Sequence, residues 1–250
     1  MSTTLPANWF REWFNTPYYH QLYFEHNEKE ATALIRRLIE HLRPLPESRM
    51  IDVGCGRGRH SKVLASFGFD VTGIDIAPDS IQYARQFEYD HLHFFEHDMR
   101  LPFWINYFQY AFNLFTSFGY FRTEREHYNA IRTIAQSLTR GGLFVVDYLN
   151  THYAEDHLVH QSEKHFEGIT YYLTKWYDES HFFKRIVIED ENRRTPLEYV
   201  ERVAKYSMGD FNDMFAFHGL QMQEVFGNYE LEPYDVKLSP RLLMIAKKIA

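Results

Sequence analysis

The chain has 250 residues, enough for one domain of ordinary size with room for a small inserted unit. Its 45% hydrophobic and 24% charged content is that of a water-soluble globular fold, and a net charge of -7 without a basic stripe makes DNA or RNA an unlikely partner. A single cysteine, Cys55, excludes an internal disulfide and a cysteine-based zinc site, whereas an aromatic share of 18% suits the lining of a ligand cavity as well as a core.

The N-terminus lacks a basic stretch followed by an apolar one, and no apolar run approaches the ~20 residues that span a bilayer, so a cytoplasmic protein without a membrane partner is expected. Residues 8–24 carry Trp9, Phe10, Trp13, Phe14, Tyr18, Tyr19 and Tyr23, and predict one or two short helices broken at Pro17. They form either a lid over a ligand or packing on a sheet edge. Ala31, Leu34, Ile35, Leu38, Ile39 and Leu42 then repeat at helical spacing up to Pro44.

From residue 50 the signals alternate, which predicts an α/β fold on a mostly parallel sheet. Strands are expected at 50–53, 69–74, 92–95, 110–115 and 143–149. Helices are expected at 61–67, 79–86 and 124–138, the last stopped by Gly141-Gly142. After Asn150 the pattern changes. Residues 165–177 and 181–189 read as a hairpin around Asp178-Glu179-Ser180, and 198–206 adds a strand. An antiparallel β insert over 155–206 is the expectation, separating the two parts of a main domain, 28–154 and 207–250, from the segment 1–27. A helix at 210–218 ends at Gly219, and two final strands at 220–226 and 242–246 close the sheet in antiparallel fashion.

The most informative stretch is Ile51-Asp52-Val53-Gly54-Cys55-Gly56-Arg57-Gly58-Arg59-His60. A strand enters Gly-x-Gly-x-Gly and leaves as a helix, and glycine is required where the backbone takes positive φ or presses against a ligand. A dinucleotide loop reads Gly-x-Gly-x-x-Gly, and its third position here is Arg59. The next strand ends at Asp75, where a carboxylate can accept both ribose hydroxyls. The third ends at His97-Asp98-Met99, which offers an acceptor for an adenine amino group beside an apolar cover.

These segments, with Asn113–Phe121 and Gly141-Gly142, resemble the ordered motifs of the class I S-adenosylmethionine-dependent methyltransferases of small-molecule type, over roughly residues 30–150. The resemblance implies a Rossmann-like, doubly wound, mostly parallel seven-stranded sheet with the β insert and an N-terminal helical lid. It implies S-adenosylmethionine as cofactor, held by Tyr19, Asp52, Gly54, Cys55, Gly56, Gly58, His60, Asp75, Ile76, His97, Asp98, Met99, Asn113 and Phe115. Two departures matter. The fourth strand begins Phe108-Gln109 where related chains often carry an Asp after the aromatic residue. It also lacks the Pro-Pro-Tyr ending that clamps a nucleobase or a side-chain amide.

The acceptor is less legible, because methyl transfer needs alignment and exclusion of water more than a fixed catalytic group. Tyr120 is the candidate for contacting the acceptor, and Thr116 and Ser117 flank it. His20, His26, His60, His127, His152, His157 and His218 are conceivable bases, and the histidines lack a carboxylate pattern for a metal. Arg241 pairs with an acceptor anion or with a surface carboxylate. The insert is rooted at the ligand face, so Phe166, Tyr171, Tyr172, Trp176, Tyr177 and Phe182 are expected to roof the acceptor cavity, the other option being a ribbon for homodimer formation. A small-molecule amine or hydroxyl acceptor is the expectation. A macromolecular acceptor (tRNA or protein) and a non-catalytic cofactor binder are the alternatives.

Overall fold

The computed structural model describes Pro6, residues 9–23 and residues 28–249, so His26 lies outside the described residues. Two short helices, α1 (Trp9–Phe14) and α2 (Pro17–Leu22), precede α3 (Glu28–Leu42). The expected break at Pro17 is a helix start: Thr16 caps α2 by accepting from the Tyr19 amide, and proline fits the first turn because its missing N–H has no partner there.

The alternating part runs β1 (Arg49–Val53), α4 (Arg59–Ser66), β2 (Asp70–Asp75), α5 (Pro78–Ala84), β3 (Leu92–Glu96), β4 (Phe108–Asn113), α6 (Glu124–Ser137) and β5 (Leu138–Leu149). A short helix, α7 (Thr151–Asp156), leads to the insert strands β6 (Gln161–Phe166), β7 (Ile169–Tyr177), β8 (His181–Asp190) and β9 (Leu197–Ala204). The chain returns through α8 (Met208–Phe217), β10 (Leu220–Phe226) and β11 (Arg241–Lys248). The main sheet has seven strands in the order β10-β11-β5-β4-β1-β2-β3, and β11 alone runs against the others. This is the doubly wound sheet that the resemblance implied. Its central strands are apolar on both faces, as sheets covered by helices require: Phe144, Val145 and Val146 of β5 are buried, and so are Leu242 to Ala246 of β11.

Two expectations are corrected. Helix α6 covers the expected residues, but it is stopped at Leu138, whose backbone is already extended, and not by Gly141-Gly142. Those glycines sit inside β5, where the register with β4 slips between Phe108 and Tyr110; a Cβ on Gly142 would lie 2.9 Å from the Thr139 carbonyl oxygen. The run 165–177 is two strands, because Gly168 takes a positive φ of 69° and turns the chain between β6 and β7. Fourth-strand residue Gln109, in place of the usual Asp, accepts a hydrogen bond from the Arg49 amide at 2.8 Å and so ties the start of β4 to β1.

The insert forms its own four-stranded antiparallel sheet, β6-β7-β8-β9. Strand β9 is fixed to the main sheet at Ala204, which donates its N–H to Gly119 and accepts from the Tyr148 hydroxyl.

Candidate active site

The carboxyl ends of β1 to β5 open on one face of the sheet, and the strand order reverses between β1 and β4, where open α/β sheets bind ligands. A cavity of about 750 Å³, open solvent at its mouth included, lies on that face. Gly54 and Gly56, Asp75 and Ile76, His97, Asp98 and Met99, Phe115, Tyr120 and Tyr19 all line it. Ten of the residues named from sequence are thereby brought together.

The loop glycines divide the work. Gly54 (φ 77°) lies against Ser117, and Gly58 (φ 79°) against Phe94, whose ring a Cβ would meet at 2.6 Å. Gly56 (φ 54°) has no atom within 4 Å of the place a Cβ would take, so it alone of the three leaves room for a ligand. Asp52, Cys55, Gly58, His60 and Asn113 do not reach the cavity surface. Asp52 is buried and accepts from Ser61 Oγ at 2.6 Å, which joins β1 to α4; burial raises its carboxyl to about 6. Cys55 is buried behind the loop, where burial pushes its thiol up. Asn113 donates Nδ2–H to the Val53 carbonyl at 2.8 Å, and its buried Oδ1 has no partner.

Asp75 ends β2 with both oxygens already held, Oδ2 by the Gly56 amide and Oδ1 by the Ala77 amide, each at 2.8 Å. Burial raises its carboxyl, and these two backbone N–H groups act against that rise. Asp98 lies beyond β3. Burial alone would raise it, but the Arg100 guanidinium, with bonds of 3.0, 3.1 and 2.6 Å, keeps it below the ordinary carboxylate value. Arg100 also meets Glu126 at 2.7 Å, so Asp98 is fixed to the start of α6.

Phe115 and Thr116 are consecutive residues in the left-handed region, with φ of 62° and 55°. Such conformations persist only when the surroundings over-determine them. Here Asp147 of β5 does so. Its Oδ2 accepts from the Phe115 amide at 2.8 Å and from the Tyr229 hydroxyl at 2.9 Å, its Oδ1 accepts from Arg241 Nε at 2.8 Å, and Arg241 Nη2 donates to Thr116 Oγ1 at 2.7 Å. Arg241 is therefore neither a surface cation nor free for an acceptor anion. The sequence signal was present: a lone Asp in the buried run 143–149 and a lone Arg opening the apolar run 242–246.

The N-terminal helices pack on the core and also line the cavity. Trp9 and Trp13 are buried, whereas Phe10, Phe14, Tyr19 and His20 face the cavity. No insert residue lines it, which corrects the expected roof. The insert's inner face, with Tyr171, Leu173, Ile186 and Ile188 buried, packs toward the lid: Tyr171 donates to Gln21 Oε1 at 2.7 Å, and Tyr18 donates to Asp190 at 2.7 Å. Tyr172 and Trp176 have the opposite parity on β7 and lie on the outer face, Tyr172 bonded to Glu189 and Trp176 stacked on Phe183 at 5.2 Å. Tyr172→Ala and Trp176→Ala are accordingly expected to keep cofactor affinity and turnover within about twofold of the parent, as for surface substitutions, measured by calorimetry and a transfer assay.

Three histidines are held neutral, His60 and His127 buried and His20 half-buried. Burial lowers His60 to about 3, and His20 and His127 to about 4, from an ordinary 6.5. A folded-state value below the unfolded one gives stability that is complete above pH 6.5 and is lost as pH falls toward 4. The thermal midpoint should therefore drop steadily from pH 7 to pH 4.5, and His60→Gln should flatten that slope. Among the described residues no group of three or more His, Cys, Asp or Glu is placed to hold a metal, and no helix is long and apolar enough to cross a membrane.

A family model described as a methyltransferase domain matches residues 45–201, more than half of the chain. A ubiquinone biosynthesis O-methyltransferase of Xanthomonas campestris pv. campestris is 49% identical over 41 residues, 16% of this chain and 17% of the relative, so the match spans about a sixth of that protein. An S-adenosylmethionine-dependent methyltransferase from Clostridium acetobutylicum superposes with a TM-score of 0.76 at 14% identity, over 92% of this chain and 95% of the other. A SAM-bound amino pentose methyltransferase from Micromonospora echinaspora superposes with a TM-score of 0.67 at 21% identity, over 93% and 97%. The cradle at Gly56 and the carboxylates Asp75 and Asp98 on the cavity wall fit the cofactor of such enzymes. By sequence family and by fold, the chain belongs to the class I S-adenosylmethionine-dependent methyltransferases.

Proposed function

We propose that this protein transfers the methyl group of S-adenosylmethionine to an amine or hydroxyl of a small molecule. One observation carries the acceptor class: aromatic rings of the lid, Phe10, Phe14 and Tyr19, cover the cavity together with Tyr120 and Phe121, which suits an enclosed acceptor better than a macromolecule lying in an open groove. The cofactor, when bound, supplies a sulfonium-activated methyl group. Gly56 gives its methionine portion room, Asp75 uses its remaining lone pairs on the ribose hydroxyls, and Asp98 with Met99 takes the adenine. Aromatic faces around the reacting end favour a cation and exclude water.

Tyr120 acts as a hydrogen-bond donor in this reading. Burial and the neighbouring Tyr19 and Glu201 hold its phenol well above the ordinary value, so it keeps its proton. An amine that arrives neutral needs no base. A hydroxyl acceptor has His20 as the neutral imidazole of the cavity wall.

Incubation with methyl-labelled S-adenosylmethionine and a cell extract tests the reading. Label should enter the low-molecular-mass fraction. Label confined to RNA or protein, or none transferred by protein that binds the donor, would overturn it. Asp75→Ala should weaken S-adenosylhomocysteine binding by about 1.5–3 kcal/mol, the range for a lost hydrogen bond to a charged group. Unchanged affinity by titration calorimetry would move the ribose site elsewhere.

A further inference from the structure

Glu201 lies on β9, on the insert face turned to the lid, and is buried. It accepts hydrogen bonds from Trp13 Nε1 of α1 at 2.7 Å, from the Tyr23 hydroxyl after α2 at 2.7 and 2.9 Å, and from Lys184 Nζ of β8 at 2.7 Å. One carboxylate thus gathers both lid helices and two insert strands. Bonds to an ionised acceptor are roughly twice as strong as neutral ones, and burial removes the competition of water. The lid's ion pair to the main sheet, Arg11 to Glu96, is by contrast exposed, and solvent weakens such pairs.

The residues over the cavity are neighbours of the two anchors. Phe14 follows Trp13 directly. Tyr19 lies one helical turn before Tyr23, with ring centroids 4.9 Å apart, and meets the Trp13 ring edge-on at 5.6 Å. Glu201 itself does not line the cavity, so whatever it contributes passes through these rings.

We infer that Glu201 is a positioning residue: by holding Trp13 and Tyr23 it sets Phe14 and Tyr19 over the reacting end and governs the opening of α1 and α2 through which cofactor and product pass. The insert is then a clamp on the lid, and its strands need not touch the acceptor at all. This rests on the reading of the cavity as the cofactor site. Local opening of a lid is a transition separate from global unfolding and often limits product release.

Two variants test it in the full-length protein. Glu201→Gln removes the charge, and Tyr23→Phe removes one donor from the lid while leaving the Glu201–Lys184 pair intact. Hydrogen exchange of residues 9–23 without ligand, and stopped-flow release of S-adenosylhomocysteine, are the readouts. Glu201→Gln and Tyr23→Phe should each speed both by about tenfold, the low end of the scale of a lost charge-assisted bond, with exchange in β1, β4 and β5 unchanged. Donor KM should rise while kcat does not fall. Exchange in 9–23 that stays at the parent rate in Tyr23→Phe, or that rises only in β8 and β9 of Glu201→Gln, overturns the inference and leaves Glu201 as a strut of the insert. Parent protein that binds no S-adenosylhomocysteine would sink the cofactor reading instead, and the exchange measurement would still decide the clamp.

Discussion

Gly56→Val is expected to abolish S-adenosylmethionine binding while the protein remains folded. Gly56 lines the cavity at a φ of 54°, with nothing within 4 Å of where a Cβ would stand, so the two methyls of valine enter space that a ligand needs. The left-handed backbone adds a folding cost of about 1–2 kcal/mol for a residue with a Cβ. Affinity should fall by a factor on the order of 100 or more, with a thermal midpoint only a few degrees lower. Gly58→Val supplies the contrast. Its Cβ would stand 2.6 Å from the buried Phe94 ring, so that variant should lose stability first and binding as a consequence. Equal binding losses in two equally stable variants would contradict this division of the loop.

Asp147→Asn should have the largest effect on stability. Asp147 is fully buried and compensates Arg241, whose side chain is only 21% exposed. Removing one member of a buried pair leaves the other charged and unpaired, at a cost of about 3–5 kcal/mol. For a chain of this size that corresponds to a thermal midpoint lower by ~10 °C. The same change releases the Phe115 and Thr116 backbone from its strained conformation, so donor affinity should drop as well. The double variant Asp147→Asn with Arg241→Met should recover part of the stability, because no buried charge is stranded. No recovery in calorimetric melting would show that the pair acts through something other than its charge.

Much of the cofactor side was legible because its signals are local. Gly54, Gly56 and Gly58 announce a loop of positive φ, and Asp75 and Asp98 follow strands whose apolar runs are plain. The ties that hold the strained loop and the lid were not legible, since they join residues far apart along the chain. Asp147 meets Arg241 across 94 positions, and Trp13 meets Glu201 across 188. Strand β6, Gln-Ser-Glu-Lys-His-Phe, is an edge strand with little apolar alternation, and α7 is barely more than a turn, so neither left a periodic trace. The insert misled for a different reason. Aromatic residues occupy both parities of β7, Tyr171 and Tyr177 on one and Tyr172 and Trp176 on the other. Alternation alone cannot say which face turns inward. The pairing of Tyr171 with Ile188, both buried, settles it, and what the inward face covers is the lid.

Titration calorimetry of the purified protein tests the central claim most directly, with S-adenosylhomocysteine and NADH as competing ligands and Gly56→Val as the control. Saturable binding of S-adenosylhomocysteine at one site per chain, absent in Gly56→Val, with no response to NADH, is the expected result. Binding of NADH with no response to S-adenosylhomocysteine would contradict it.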